Sequence, residues 1–494
     1  MRLAAQQSDP VTSSYLAVSF SHLRLAVAVA IAAVLAAGCM VGSNYVRPPA
    51  PVPAHYKENP NFALAQPSAV IEKGTWWEIY NDAQLNSLEN QIDSSNLTLA
   101  AEQERFEQAR AAVRITRSSL YPTASGGLSV SHDVVSQHRP LASSSSANSY
   151  ADFAIPVDAS YEPDVWGRIR RNVEASRSEA QATSADVASV ALSLHAELAL
   201  DYFAMRGLDA QKQLLDSTVI SYQRALDLTE TRYRGGLASA VDVAQARTQL
   251  ESTRAQAIDV EVQRAQFEHA VAVLVGKAPA EFGLLPAPLA TPPPNIPVGL
   301  PSALLQRRPD IAAAERRVEE ANANIGVARA AYFPTFTLAA SGGFESTSIG
   351  TLLQGPGGFW SLAGQAAELL FDGGSRRGLN EQAKSAYNEA VDNYRQTILS
   401  AFQEVEDNLA ALRVLQLEAQ TQRDAVLAAQ HSLSLSETRY RGGVTNYLEV
   451  TTAQTAALAN EVTAVNLLSR RLSASVLLVK AMGGGWNISK LPAM

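Results

Sequence analysis

The heptapeptide Glu-Thr-Arg-Tyr-Arg-Gly-Gly stands twice in this chain, at Glu230–Gly236 and at Glu437–Gly443, an offset of 207 residues (230 to 437). Each copy closes a stretch without proline: residues 168–234 hold one glycine, Gly207, and residues 379–441 hold neither glycine nor proline. A glycine pair after such a stretch ends a helix, because glycine enters the left-handed conformation of a helix C-cap and tight turn without a Cβ clash. The repeat is therefore half of the chain, and the chain carries two equivalent helical-hairpin tips. At 1.5 Å per residue a helix over 168–234 would run roughly 100 Å. Helices of that length belong to coiled coils. Shorter helices, about Val241 to Val275 and about Tyr447 to Met482, are expected to return after each tip.

Between these helices the periodicity changes. A helical run from about Ala83 to Ser119 ends at Tyr121-Pro122, since proline stops a helix and restricts the residue before it. Beyond it apolar residues recur every second position: Phe153, Ile155, Val157, Ala159 and Tyr161 against Asp152, Ala154, Pro156, Asp158 and Ser160. A weaker alternation, Leu128, Val130 and Val134, precedes it across the serine-rich loop Ser143–Ser149, so a strand hairpin is predicted over about 124–163. The second half repeats the pattern. A helix over Leu304–Ala331 stops at Tyr332-Phe333-Pro334. Strands follow from Thr335 and over Phe359–Phe371, giving a hairpin over about 335–371, and then the long helix begins. The segments Asp164-Val165-Trp166-Gly167-Arg168 and Asp372-Gly373-Gly374-Ser375-Arg376 each close a strand and open a helix. Proline-rich residues 286–301 join the halves.

The N-terminus reads as an export signal over 1–38: Arg24 precedes the apolar run Leu25–Ala37, which is too short to span a bilayer as a helix. It ends at Leu35-Ala36-Ala37-Gly38-Cys39, and Cys39 is the single cysteine, so no internal disulfide forms. Either this cysteine is incidental to a plain signal peptide, or it belongs to the bacterial lipoprotein signal that the segment resembles, with Ala36 in place of the usual leucine. That resemblance implies a lipidated Cys39 as mature N-terminus. Met40 after it, where Asp would cue inner-membrane retention, implies delivery to the outer membrane. The net charge of -8 and the lack of a basic run argue against nucleic acid as partner. No phosphate-binding Gly-x-x-x-x-Gly-Lys-Ser/Thr loop is present, the seven histidines form no His-Glu-x-x-His pair, and one cysteine cannot build a thiolate zinc cluster. No cofactor, metal or catalysis is expected.

Two strands per half make four per chain, and four strands cannot close a barrel. Sheets that span a bilayer must be closed, from about eight strands upward. If these strands span, the chain must oligomerise, and three copies would supply twelve. A soluble sandwich is the other reading of the strands. The expected fold is mainly α with membrane β, internally duplicated, with four barrel strands and long antiparallel coiled-coil helices per protomer. Its divisions are a signal over 1–38, a lipidated leader and equatorial segment over 39–82, a first repeat over 83–285 with its helical hairpin at about 168–275, the linker 286–301, a second repeat over 302–482 with its hairpin at about 377–482, and a tail over 483–494.

These features resemble the outer-membrane efflux protein family, in its lipoprotein branch. The markers are Leu304-Leu305-Gln306-Arg307-Arg308-Pro309-Asp310-Ile311, the two Arg-Tyr-Arg-Gly-Gly turns, Trp76-Trp77 followed by Asp82 and Leu85, and Gly483-Gly484-Gly485-Trp486. The resemblance implies a homotrimer with a 12-stranded outer-membrane barrel continuous with a periplasmic helical barrel. It implies two partners, a periplasmic adaptor and an inner-membrane transporter of the resistance-nodulation-division class. The function implied is passive exit of drugs or other small toxic compounds from periplasm to exterior. A type I protein-secretion channel shares the fold, and a non-channel periplasmic coiled-coil adaptor or structural lipoprotein is the reading from another class.

The resemblance also implies that the tips, Tyr233–Asp242 and Tyr440–Thr452, constrict the resting duct. Leu448 matches an apolar gate, with Tyr440 as a hydrogen-bond latch, unless Leu448 is a core leucine of the coiled coil. Asp242 and Glu449, again 207 residues apart, are either stacked acidic rings that favour cations or first-turn acids suited to the helix dipole. Thr452 stands where many relatives carry a further carboxylate. The turns Arg232, Arg234, Gly235, Gly236 and Arg439, Arg441, Gly442, Gly443 would meet the adaptor, the arginines pairing with its acids or remaining solvated at their helix ends.

Overall fold

The computed structural model describes residues 40–58, 74–134, 136, 149–289, 292–296 and 301–493. Cys39, the expected signal segment and most of the serine-rich hairpin loop lie outside the described residues. In chain order, a 3-10 turn at Trp76–Tyr80 leads into α1 (Ala83–Ser95) and α2 (Leu97–Ser118). Then come β1 (Thr123–Gly126), β2 (Ser129–Val134), β3 (Ser149–Tyr161), α3 (Arg168–Arg234) and α4 (Ala240–Leu274). The second half gives α5 (Pro301–Arg307), α6 (Pro309–Ala330), β4 (Thr335–Ser346), β5 (Gly358–Ala367), α7 (Ser375–Arg441) and α8 (Tyr447–Ala481). α3 and α7 each have 67 residues and α4 and α8 each have 35, so the offset of 207 carries every boundary of the first hairpin onto the second.

Two predicted helices are each broken in two. The run from Ala83 divides at Asn96, whose side chain accepts the Leu99 N–H at 2.9 Å and donates to the Leu274 carbonyl at 2.9 Å, so one buried amide starts α2 and closes the end of α4. The run from Leu304 divides before Pro309, which takes the first position of α6, where a missing N–H costs nothing.

The chain forms two compact units, each drawing on both repeats. One comprises 109–180, 317–390 and the described residues up to Arg47. It contains the sheet, antiparallel throughout, in which β1 and β2 both pair with β3, β3 pairs with β4, and β4 with β5. β1 and β2 keep one register along β3 and are one strand interrupted opposite Pro156. The cause is chemical: the Gly127 N–H still reaches the Pro156 carbonyl at 3.0 Å, but Pro156 has no N–H to return. On the other side of β3, Gly343 lies so near that a Cβ there would stand 2.1 Å from the Ile155 carbonyl oxygen. β5 stops at Ala367, short of the expected Phe371, because β4 begins at Thr335, the partner of Ala367. Leu369, Leu370 and Phe371 are left exposed.

The register separates the two faces. Val130 faces Phe153, Ile155 faces Phe344, Tyr161 faces Leu338, and Gly342 faces Trp360, all on one apolar face. Asp152 faces Ser131 and Asp158 faces Ser341 on the other. The apolar face is uncovered, with Val130 63%, Trp360 78% and Leu362 75% exposed. Near the start of α3 the leader is fixed in place: Arg171, 1% exposed, donates to the carbonyls of Val41 and Gly42 at 3.2 Å each, and the Val41 N–H reaches the Trp166 carbonyl at 3.0 Å.

The other unit comprises 48–108, 181–316 and 391–494. Here the Arg-Arg-Pro-Asp and Gly-Gly-Gly-Trp segments meet. Buried Arg308 holds Asp310 with two nitrogens at 3.0 and 2.6 Å, Glu404 of α7 at 2.5 Å and the Ala481 carbonyl at 3.2 Å. A cation suits that carbonyl end of α8. Gly483, at φ 90°, passes so close that a Cβ would lie 2.0 Å from the Arg307 carbonyl oxygen. Trp77 stacks on His195 with ring centroids 4.5 Å apart, and His195 Nδ1 lies 2.8 Å from Glu89 Oε2. Burial pushes the Glu89 carboxyl up to about 7.

Gly343→Val should cut the folded outer-membrane yield several-fold, because its Cβ would run into the β3 backbone at Ile155 and Pro156. Gly126→Ala, whose Cβ would sit 4.0 Å from the nearest atom, should not. Quantifying both proteins in outer-membrane fractions, with folded protein distinguished by heat-dependent gel migration, decides it.

Candidate functional site

The two hairpin tips are built by one local code. The N–H of Gly236 bonds to the Tyr233 carbonyl at 2.9 Å and that of Leu237 to the Arg232 carbonyl at 2.8 Å, while Gly443 to Tyr440 and Val444 to Arg439 repeat the pattern at 3.0 and 2.9 Å. This is the Schellman closure of a helix. Only the second glycine of each pair is left-handed, Gly236 at φ 74° and Gly443 at φ 71°. Gly235 and Gly442 keep ordinary dihedrals, so the conformation expected of both glycines is required of one.

At the start of each returning helix the equivalent acids take different partners. Ser239 and Asp242 form a capping box on α4. Asp242 Oδ2 accepts from the Ser239 N–H at 2.8 Å and the Ser239 hydroxyl at 2.9 Å. Its other oxygen, Oδ1, accepts the Tyr447 N–H at 3.3 Å, the first residue of α8. Asn446, the N-cap residue of α8, makes no side-chain cap bond. One carboxylate from the first repeat thus serves helix starts in both repeats. Glu449, the counterpart of Asp242, accepts the Thr445 hydroxyl at 2.5 Å and lies 3.3 Å from Arg439 Nε.

The helix ends are joined across the repeats as well. Arg232 donates to the Arg441 carbonyl at 3.0 Å and lays its guanidinium over the Tyr440 ring, 4.8 Å from the centroid. Tyr440 is 5% exposed, meets Tyr447 edge to face at 5.2 Å, and its hydroxyl is 3.4 Å from Thr229 Oγ1. With Tyr222, Leu226, Ala246, Leu250 and Val450 these tyrosines form the core of the tips. Burial pushes the Tyr447 phenol up to about 12, so it stays neutral in ordinary media.

The structure brings Asp242, Tyr440, Arg232 and the Arg441 carbonyl into one cluster. Arg441 also pairs with Glu437 at 3.1 Å, and among the described residues Arg234 keeps only long contacts to its own helix, at 3.4 and 3.5 Å. Leu448 is 53% exposed and its counterpart Val241 63%, so within the protomer neither is a core residue. Leu237 and Val444, just after the turns, are exposed too. Sequence reasoning missed Ser239, Tyr447 and the stacking of Arg232. The Ser-x-x-Asp spacing was a readable signal for the first, and the other two arise only when the hairpins meet.

A family model described as outer membrane efflux protein matches residues 88–277 and 300–484, one stretch per repeat. The chain belongs to that family. It is 34% identical over 484 residues to the toluene efflux pump outer membrane protein TtgF of Pseudomonas putida, covering 95% of this chain and 98% of the relative. It is 29% identical over 455 residues to the cation efflux system protein CusC of Escherichia coli, covering 91% and 96%. The solved structure of the outer-membrane channel OprN superposes with a TM-score of 0.84 at 26% identity, over 91% of this chain and all of that one. This family member is an outer-membrane component of an efflux pump, with the helix-plus-sheet fold of outer-membrane channels.

Asp242→Ala should loosen two helix starts together. Losing a cap costs about 1 kcal/mol, so amide exchange should quicken several-fold both at 240–243 and at 447–450. Faster exchange at 240–243 alone would show that the bond to Tyr447 carries no weight.

Proposed function

We propose that three copies assemble into a duct, each adding its four-strand sheet to a closed barrel and its two helical hairpins to a tube, through which small toxic compounds pass without chemical change. The observation that supports this best is the sheet: one face apolar and exposed, the other polar, with no strand partner at either outer edge among the described residues. β3, β4 and β5, at 13, 12 and 10 residues, are long enough to cross a bilayer, which takes about 9–11. Unpaired edges are untenable in lipid, so further copies must supply them.

In this reading a periplasmic adaptor docks on the tips, through the exposed turns and arginines, and an inner-membrane transporter of the resistance-nodulation-division class supplies the energy. Relatives named as pump components over nearly the whole chain favour efflux over protein secretion. Two hairpins and two strand pairs speak against an adaptor. The resting gate is a ring of Leu448 side chains with Asp242 and Glu449 beside it, and opening breaks the caps that Asp242 and Arg232 make on the second hairpin. Asp133, Asp152, Asp158 and Glu345 share the polar sheet face, and among the described residues no lysine or arginine lies in a strand, which suits neutral and cationic solutes. Cys39 carries the lipid anchor: the adjoining Met40–Gly42 are fixed beside the end of β3, where Gly167 leaves room for Met40 and no more.

Imaging of the purified protein should show a threefold particle with a central lumen, and a particle without one overturns the duct. In planar bilayers Leu448→Ser should raise the resting conductance, and unchanged conductance removes Leu448 from the gate. Cys39→Ser should abolish palmitate labelling while leaving the chain able to assemble. Retained label would place the lipid elsewhere.

A further inference from the structure

The constant offset of 207 residues allows the two hairpins to be compared position by position, and one place in them has diverged in charge. A cavity of about 730 Å³ lies between α3 and α4, and one of about 450 Å³ between α7 and α8. They are the same site in the two repeats. Asp209, Asp216, Glu261 and Arg264 line the first, and the residues 207 positions later, Gln416, Arg423, Leu468 and Arg471, line the second. The linker between the repeats borders both, with Pro286 and Pro288 at the first and Pro292 at the second.

In the first cavity the cations are matched from within the chain. Arg264 reaches Asp209 at 2.8 Å, Glu268 at 3.0 Å and the Leu284 carbonyl at 2.5 Å, and Lys212 reaches Asp216 at 2.7 Å. The second cavity keeps the arginine and loses every acid. Gln416 replaces Asp209, Ser475 replaces Glu268, Leu468 replaces Glu261, and Arg423 puts a second positive charge where Asp216 was negative. Neither half-buried Arg471 nor Arg423 makes a hydrogen bond or ion pair among the described residues. Beside them is apolar surface: Leu467, 3% exposed, with Leu468 and Pro292.

We propose that the α7–α8 cavity binds a small organic carboxylate, its anionic group on Arg471 and Arg423 and its apolar body against Leu467, Leu468 and Pro292. A guanidinium presents its donors as a planar fork that fits a carboxylate with two parallel bonds. The ligand supplies the negative charge that Asp209 and Glu268 supply to Arg264. The cavity has the size of small-molecule sites, about 300–1,000 Å³. Arg471 stands 23 residues beyond Leu448 along α8, roughly 35 Å from the tip.

The test uses full-length protein in nanodiscs of neutral lipid, with 4-fluorobenzoate as probe and 4-fluorobenzamide as its uncharged counterpart, followed by fluorine NMR. Saturable binding of the benzoate and none of the amide is expected. Arg471→Gln should weaken binding about tenfold or more, the range expected from losing charged hydrogen bonds. Leu468→Glu, which restores the acid of the sister cavity, should abolish it. Should Arg471→Gln fail to fold, the exposed Arg423→Gln and Leu468→Glu carry the test. Equal binding of the amide, binding unchanged in the variants that fold, or no benzoate binding to the native chain each overturns the site.

Discussion

A peptide group in hydrocarbon must find its hydrogen bond within protein, and this sheet cannot meet that demand alone. Its interior ladder loses a bond at Pro156, and the loss is absorbed by glycine on both sides: Gly127 gives the one bond still possible and Gly343 lets β4 approach. Its outer edges have no such remedy among the described residues. The exposed apolar face makes the same demand in another form, since Trp360 and Leu362 in water would leave a large apolar patch uncovered. Lipid on one face and further strands at both edges satisfy both requirements, and an outer-membrane channel is the architecture that provides them.

Away from the sheet the chain is held by charge placed at helix ends. Arg308 neutralises the carbonyl end of α8 and ties it to α7 through Glu404. At the tips Asp242 and Arg232, both from the first repeat, serve a helix start and a helix end of the second. The direction is one way. Glu449 and Arg439, their counterparts, bind each other instead. Duplication produced two like hairpins, and small changes of partner made one the holder and the other the held. A contact made of a few exposed or half-buried hydrogen bonds can be released at modest cost.

Much of this was legible beforehand. Helix lengths followed from proline-free runs and the glycine pairs, and strands from the alternation around Phe153 and Phe336. The break before Pro309 and the cap at Ser239 had local causes, while at two other places the deciding partner was remote in sequence. Asn96 splits a helix because its amide meets Leu274, and β5 ends at Ala367 because β4 offers nothing beyond Thr335.

The sequence by itself determined the duplication, the element types and the two faces of the sheet, because periodicity and glycine placement are local consequences of backbone sterics. Only the tertiary structure decided which equivalent residues became partners. Asp242 reaches Tyr447 and Arg232 covers Tyr440, while Arg471 stands without the acids that its twin Arg264 holds, because pairing is settled by which side chains the packed helices bring within a few ångströms.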